Sequence, residues 1–188
     1  MSEDQPLERQ WPDDLSEEAY HGLAGEFVRA IEPQTESDPV ALLLQFLVVF
    51  GNVIGRSAHF VVEASTHYLN LFAVLVGATS KGRKGTSWDH VRKVFDVIDS
   101  GWTGSRIVSG LSSGEGLIWA VRDPLGQDAG ITDKRLMVIE SEFASPLKML
   151  TRDGNVLSPT VRQSWDTGNL RVLTKNSPAA ATDAHISI

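Results

Sequence analysis

Leu69-Asn70-Leu71-Phe72-Ala73-Val74-Leu75-Val76 is followed by Gly77-Ala78-Thr79-Ser80-Lys81-Gly82-Arg83-Lys84-Gly85-Thr86-Ser87, and then by Asp89-His90-Val91-Arg92-Lys93-Val94-Phe95. The first run is apolar and short, which predicts a buried strand. The last has apolar residues at helical spacing. A glycine-rich turn that leaves a buried strand and opens a helix builds a phosphate cradle. Its glycines let backbone N–H groups converge on phosphate oxygens, the helix N-terminus adds partial positive charge, and a lysine neutralises the terminal phosphates. Nucleotide binding on an α/β fold with a mostly parallel central sheet is therefore the leading expectation.

The spacing of the loop needs one adjustment. The usual pattern is Gly, four residues, Gly, then Lys and Ser or Thr. Counting from Gly77 places Gly82 correctly but puts Arg83 where the lysine belongs. One inserted residue restores the order Lys84-Gly85-Thr86, an ending that resembles the phosphate loops of adenylate kinases. The phosphate lysine is thus assigned to Lys84, with Arg83 the weaker candidate. Gly77, Ser80, Lys81, Gly82, Gly85, Thr86 and Ser87 complete the candidate nucleotide-binding set. The competing reading is a basic surface loop between a strand and a helix.

The chain has 188 residues, enough for one α/β domain with a sizeable core, and no cysteine, which removes disulfides and thiolate metal sites. Its N-terminus lacks the basic-then-apolar pattern of a secretory signal, and the longest apolar run, residues 40–50, is interrupted by Gln45 and too short to span a bilayer. A cytoplasmic protein without a membrane segment is expected. The net charge of −7 is uneven: residues 1–40 carry 11 acidic and 2 basic side chains, leaving 13 acidic and 15 basic for the remainder. Such a balance does not describe a free-standing DNA-binding protein, although a ring can gather a few basic residues around a pore.

Residues 1–14 are polar and acidic and are expected to be a disordered tail. A helical segment, 15–58, follows. Residues 15–31 have helical spacing with Ser16 as cap, and Pro33 ends that helix. Asp38-Pro39 then starts a second helix that runs to about residue 52 and is apolar nearly all round. From 59 onward strands appear. His59-Phe60-Val61-Val62-Glu63 is expected to pair with, or lie beside, residues 69–76. A helix from about Ser87 to Ile98 follows the loop, then a short strand at Arg106-Ile107-Val108 and a helix over 117–121. A mobile glycine-rich connection is expected over 125–133. Helices over 144–152 and from Ser158 to about Trp165 precede strands at 170–174 and 184–188. The last strand stops at the final residue, so a piece of a longer protein is expected.

The second chemical signal is Arg135-Leu136-Met137-Val138-Ile139-Glu140-Ser141-Glu142-Phe143, about 55 residues beyond the loop. Apolar residues ending in an acid describe a central strand that delivers a carboxylate at its C-terminal edge, where open parallel sheets bind ligands. Phosphoryl-transfer enzymes use one such acid for Mg²⁺ and another to orient the attacking water. Glu140 is assigned to the metal together with Thr86, and Glu142 to the water.

With these residues in view, the chain over roughly 20–188 resembles a family of phage-, plasmid- and chromosome-borne proteins with a RecA-like P-loop ATPase domain. That family is related to replicative DNA helicases and often accompanies primase-polymerase modules. The resemblance rests on Asn70-Leu71-Phe72-Ala73-Val74-Leu75-Val76-Gly77, on Ser112-Ser113-Gly114-Glu115-Gly116-Leu117 and on the strand ending at Glu140. It implies a RecA-like sandwich over 59–188, ATP hydrolysis with Mg²⁺, a homo-oligomeric ring, and work on single-stranded DNA in the replication of a mobile element. The chain departs from the family in its extra loop residue and in glutamate, rather than aspartate, closing the acidic strand. Glu115 is a third catalytic candidate, against a plain helix cap by Ser112 or Ser113. Arg162 and Arg171 are candidates for reaching a neighbour's phosphates, and His185 for sensing the γ-phosphate. Two other functions stay open: a P-loop small-molecule kinase, and a nucleotide-binding regulatory or scaffold module without hydrolysis.

Overall fold

The computed structural model describes residues 13–77, 83–173 and 179–188. A 3₁₀ turn, Glu17–Ala19, precedes helix α1, Gly22–Ile31. The single helix expected from residue 15 is broken because the chain is extended at His21 (φ −108°, ψ 167°) and Gly22, where α1 begins, takes φ +59°, and Ser16 makes no side-chain cap. Helix α2, Pro39–Ile54, starts as its sequence predicts. Asp38 Oδ1 accepts hydrogen bonds from the amides of Val40 (2.8 Å) and Ala41 (3.4 Å), and Pro39 occupies the first turn. The apolar girdle of α2 packs against α1, α3 and the sheet, and leaves Leu44 and Leu47 exposed.

Strands β1, His59–Val62, and β2, Ser65–Tyr68, form an antiparallel hairpin with Val62 opposite Ser65. The partner of β1 is therefore not residues 69–76. Glu63, at φ 53°, supports a two-residue turn that claims the residues immediately after it. Helix α3 is Lys84–Ile98, α4 Ser100–Ser105, β3 Ile107–Val108, α5 Gly114–Trp119 and β4 Arg135–Val138. Then come α6, Ala144–Leu150, α7, Leu157–Asp166, β5, Leu170–Arg171, β6, Ala180–Ala181, and β7, His185–Ser187.

The central sheet is parallel, in the order β3-β4-β7. Residues 71–73 continue it on the far side of β7. The amide of Ile188 donates to Leu71 O (3.2 Å) and that of Ala73 donates to Ile188 O (2.8 Å), the parallel pattern with Phe72 facing Ile188. The expected buried strand over 69–76 is therefore a correction. It joins the sheet through these two bonds and lies at the edge, with Val74 56% and Val76 77% exposed.

Alternation along β4 divides the core in two. Met137 and Ile139 point into the cluster built by α1 to α4, while Leu136 and Val138 point into the one built by α5, β5, β6 and Ile186. The result is an α/β sandwich with helices on both faces of a parallel sheet. Asn52 of α2 fastens the layers. Its Nδ2 donates to Leu136 O (3.0 Å), His185 O (3.2 Å) and Ser187 Oγ (3.1 Å), and its Oδ1 accepts from Trp102 Nε1 (3.0 Å).

The 125–133 connection is fastened rather than loose. Arg122 and Lys134 hold Asp128 and Asp123, Asp123 also accepts from Thr182 Oγ1 (2.6 Å), and Gly130 packs against the Pro124 backbone too closely for a side chain. Gly130 serves tight packing here and Gly126 takes a left-handed turn at φ +59°, where composition alone reads slack.

His185 is buried, its Nε2 meets Gly51 O at 2.9 Å, and its Nδ1 has no partner among the described residues. Burial lowers its pKa, with the Arg56 and Arg135 charges adding to the effect. The unfolded chain takes up the proton near pH 6.5 and the folded one resists it, so stability falls as pH drops through about 6.5 until the folded value is reached. Carboxylates such as Asp128, held low by Arg122, act only nearer pH 4. The urea midpoint is expected to fall between about pH 7.5 and 5, and His185→Gln, which keeps a donor for Gly51 O, is expected to flatten that slope. Identical slopes for the two proteins would locate the titration elsewhere.

Candidate functional site

Parallel register brings the important chain exits to one edge. Val108 is level with Val138, the next step along β4 and β7 brings Val138 level with Ile188, and Ile188 faces Phe72. The segment that enters Gly77 and the segment that ends in Glu140 thus leave the sheet in the same direction with β7 between them. This is the carboxyl edge, where such sheets bind ligands.

Lys84 is the first residue of α3, three residues earlier than the sequence suggested for the helix start. Its ammonium folds back over the end of the incoming strand: a Cβ built on Gly77 lies 3.7 Å from Lys84 Nζ. Arg83 precedes it at φ 40°, and its guanidinium is ion-paired with Glu36 in the connector between α1 and α2. Gly85 has open space around it, and Thr86 is exposed. Ser87 turns away: it is fully buried, and its hydroxyl donates to Lys84 O (2.9 Å), inside its own helix. Ser80, Lys81 and Gly82 lie outside the described residues.

At the neighbouring exit, Glu140 Oε1 accepts the Leu111 amide at 2.5 Å, tying the end of β4 to the segment after β3. Strand alternation would put Glu140 and Glu142 on one face if the strand stayed extended. The strand ends at Val138, however, and the chain bends at Ser141 into α6, leaving Glu142 exposed on the turn. Ser113 Oγ accepts from Gly116 N (3.0 Å), so the cap reading of this motif is realised by Ser113. Glu115 is half-buried in the first turn of α5. Arg162 and Arg171 are both exposed. His185 opens β7, level with Arg135, at the opposite edge of the sheet, and its ring is committed to Gly51. His185 is thus packed against Gly51 and not presented at the carboxyl edge.

Sequence reasoning missed two groups. Gln45 donates through Nε2 to Lys84 O (3.4 Å), and its buried Oε1 meets no donor among the described residues. The clue was one polar residue interrupting an apolar run. Glu36 had no local signal, because its contact with Arg83 spans two elements.

No protein-family model, curated protein or solved structure matches this chain. Among the described residues no group of three or more metal-ligating side chains occurs, and no helix is long and apolar enough to cross a membrane. Mg²⁺ is compatible with the donors present. It takes oxygen ligands, keeps several waters and uses only one or two carboxylates beside substrate phosphates. Glu140, with one carboxylate oxygen on the Leu111 amide and the other without such a bond among the described residues, and the exposed hydroxyl of Thr86 are such donors.

Proposed function

We propose that this chain binds ATP with Mg²⁺ at the carboxyl edge of its sheet and hydrolyses it as a RecA-like, helicase-type motor acting on DNA. The observation that carries the reading is the shared edge. The segment entering the glycine loop and the segment running from β4 to Glu140 are parallel, with β7 between them and Lys84 folded over the loop's first glycine. Lys84 would neutralise the terminal phosphates and the first turn of α3 would present backbone N–H groups to them. Thr86 and Glu140 would hold the metal, which supplies charge neutralisation between the phosphate oxygens. Glu142 would orient the attacking water, with Glu115 next in line. Ring assembly, single-stranded DNA as substrate and a primase-polymerase partner belong to this proposal through the resemblance noted above.

One observation weighs against the small-molecule kinase. Its arginine-bearing lid would have to close over the carboxyl edge, and the 125–133 connection enters β4 at the opposite edge, fastened there by Asp123 and Lys134. A module that binds without turnover is favoured only by the exposed placement of Glu142. ATP turnover by the protein, measured with and without single-stranded DNA, separates these functions. Stimulation by DNA is expected of a motor. Turnover only with an added phosphate acceptor marks a kinase, and tight binding with no turnover marks a switch.

A further inference from the structure

Beside the first two turns of α3 lies a polar recess of about 430 Å³, walled on its other side by Pro33, Gln34 and Glu36 of the connector between α1 and α2. We propose that this recess receives the nucleobase of the bound nucleotide. The inference rests on the nucleotide-binding reading and adds to it the part of the ligand that the phosphate loop does not read. It is a site formed by the N-terminal helical segment, which that reading leaves without a role.

Three observations carry it. The first is continuity. Arg83 lines the recess and immediately precedes Lys84, so the recess opens beside the start of α3, where the phosphates would rest. The second is direction. Thr86 and His90, four residues apart, share one face of α3 and line the recess together with Arg83 just before the helix, while Lys84, about 160° round the helix from Thr86, folds toward Gly77. Lys84 and the recess thus lie on different sides of the first turn of α3, with Thr86 at the margin between the phosphate end and the recess. The third is chemistry. Pro33 and the His90 imidazole offer flat surfaces, and the Gln34 amide and Glu36 carboxylate offer acceptors and donors to the edge of a planar heterocycle. Arg83, ion-paired with Glu36, spans from the helix to the connector. Its volume falls in the range of ligand pockets, and its broad, open form suits a planar group laid against one wall.

The test compares ATP with inorganic tripolyphosphate by isothermal titration, using wild type, the double variant Gln34→Ala/His90→Ala, and Lys84→Ala. Wild type is expected to bind ATP at least about tenfold more tightly than tripolyphosphate, the difference that base stacking supplies. The double variant is expected to bind ATP only as tightly as tripolyphosphate while holding tripolyphosphate as wild type does, which also shows that it folds. Lys84→Ala loses both ligands. Unchanged ATP affinity in the double variant would overturn the base recess and leave the phosphate site standing. A wild type that binds neither ligand would overturn both.

Discussion

Lys84→Ala is expected to lower ATP affinity by about 10²–10⁴-fold, because charge-assisted hydrogen bonds are worth roughly 1.5–3 kcal/mol each and the ammonium makes more than one. Arg83→Ala is expected to do far less. The two cations are adjacent in sequence but differently committed: Lys84 Nζ lies over Gly77, whereas Arg83 is paired with Glu36. Neutralising Arg83 therefore removes a group whose charge is already balanced. Titration of both variants with Mg·ATP decides the matter, and equal losses, or a greater loss at Arg83, would place the inserted loop residue in the wrong register.

The second large effect concerns the acids. Glu142→Gln is expected to keep ATP affinity and remove most hydrolysis, by about 10²–10⁴-fold, the usual contribution of a positioned general base. Glu140→Gln is expected to weaken Mg²⁺-dependent binding as well. It also changes the acceptor for the Leu111 amide, although a glutamine oxygen can replace it in that bond. The two substitutions differ because Glu140 is fixed at the sheet edge and Glu142 sits exposed on the turn beyond it. Binding and single-turnover hydrolysis measured on both variants check this, and unchanged turnover in the Glu142 variant would transfer the role to Glu115.

The parts of this fold with local chemical causes were legible in the sequence. Asp38-Pro39 starts α2 because an aspartate cap and a first-turn proline satisfy the same orphan amides in any context. The apolar run before Glu140 reads as a strand buried on both faces, and β4 is one. What stayed illegible depends on distant partners. Nothing in Ser65-Thr66-His67-Tyr68 announces a strand, and it pairs with β1 because the two-residue turn places it there. The slack composition of 125–133 gave no hint of the Asp123, Asp128 and Lys134 contacts that fasten it. At the site, the order of residues singled out Lys84 and Glu140, and the sheet brings the segments that carry them to one edge. The same reasoning placed Glu142 on an extended strand that ends four residues earlier, and placed His185 near the phosphates when its register puts it at the other end. Strand alternation and strand direction are local properties. Where a strand stops, and which of its ends faces the ligand, are set by the sheet.

The most direct test is an NMR titration of the ¹⁵N-labelled protein with Mg·ATP. Binding at the carboxyl edge predicts amide shifts at Gly77, at Lys84 and Thr86 in the first turn of α3, at Leu111, at Glu115 and around Glu140. It predicts none at Gly55, Asp123, Lys134 or His185, which lie toward the opposite edge. Shifts confined to that opposite edge, or no shifts at millimolar nucleotide, would contradict the account.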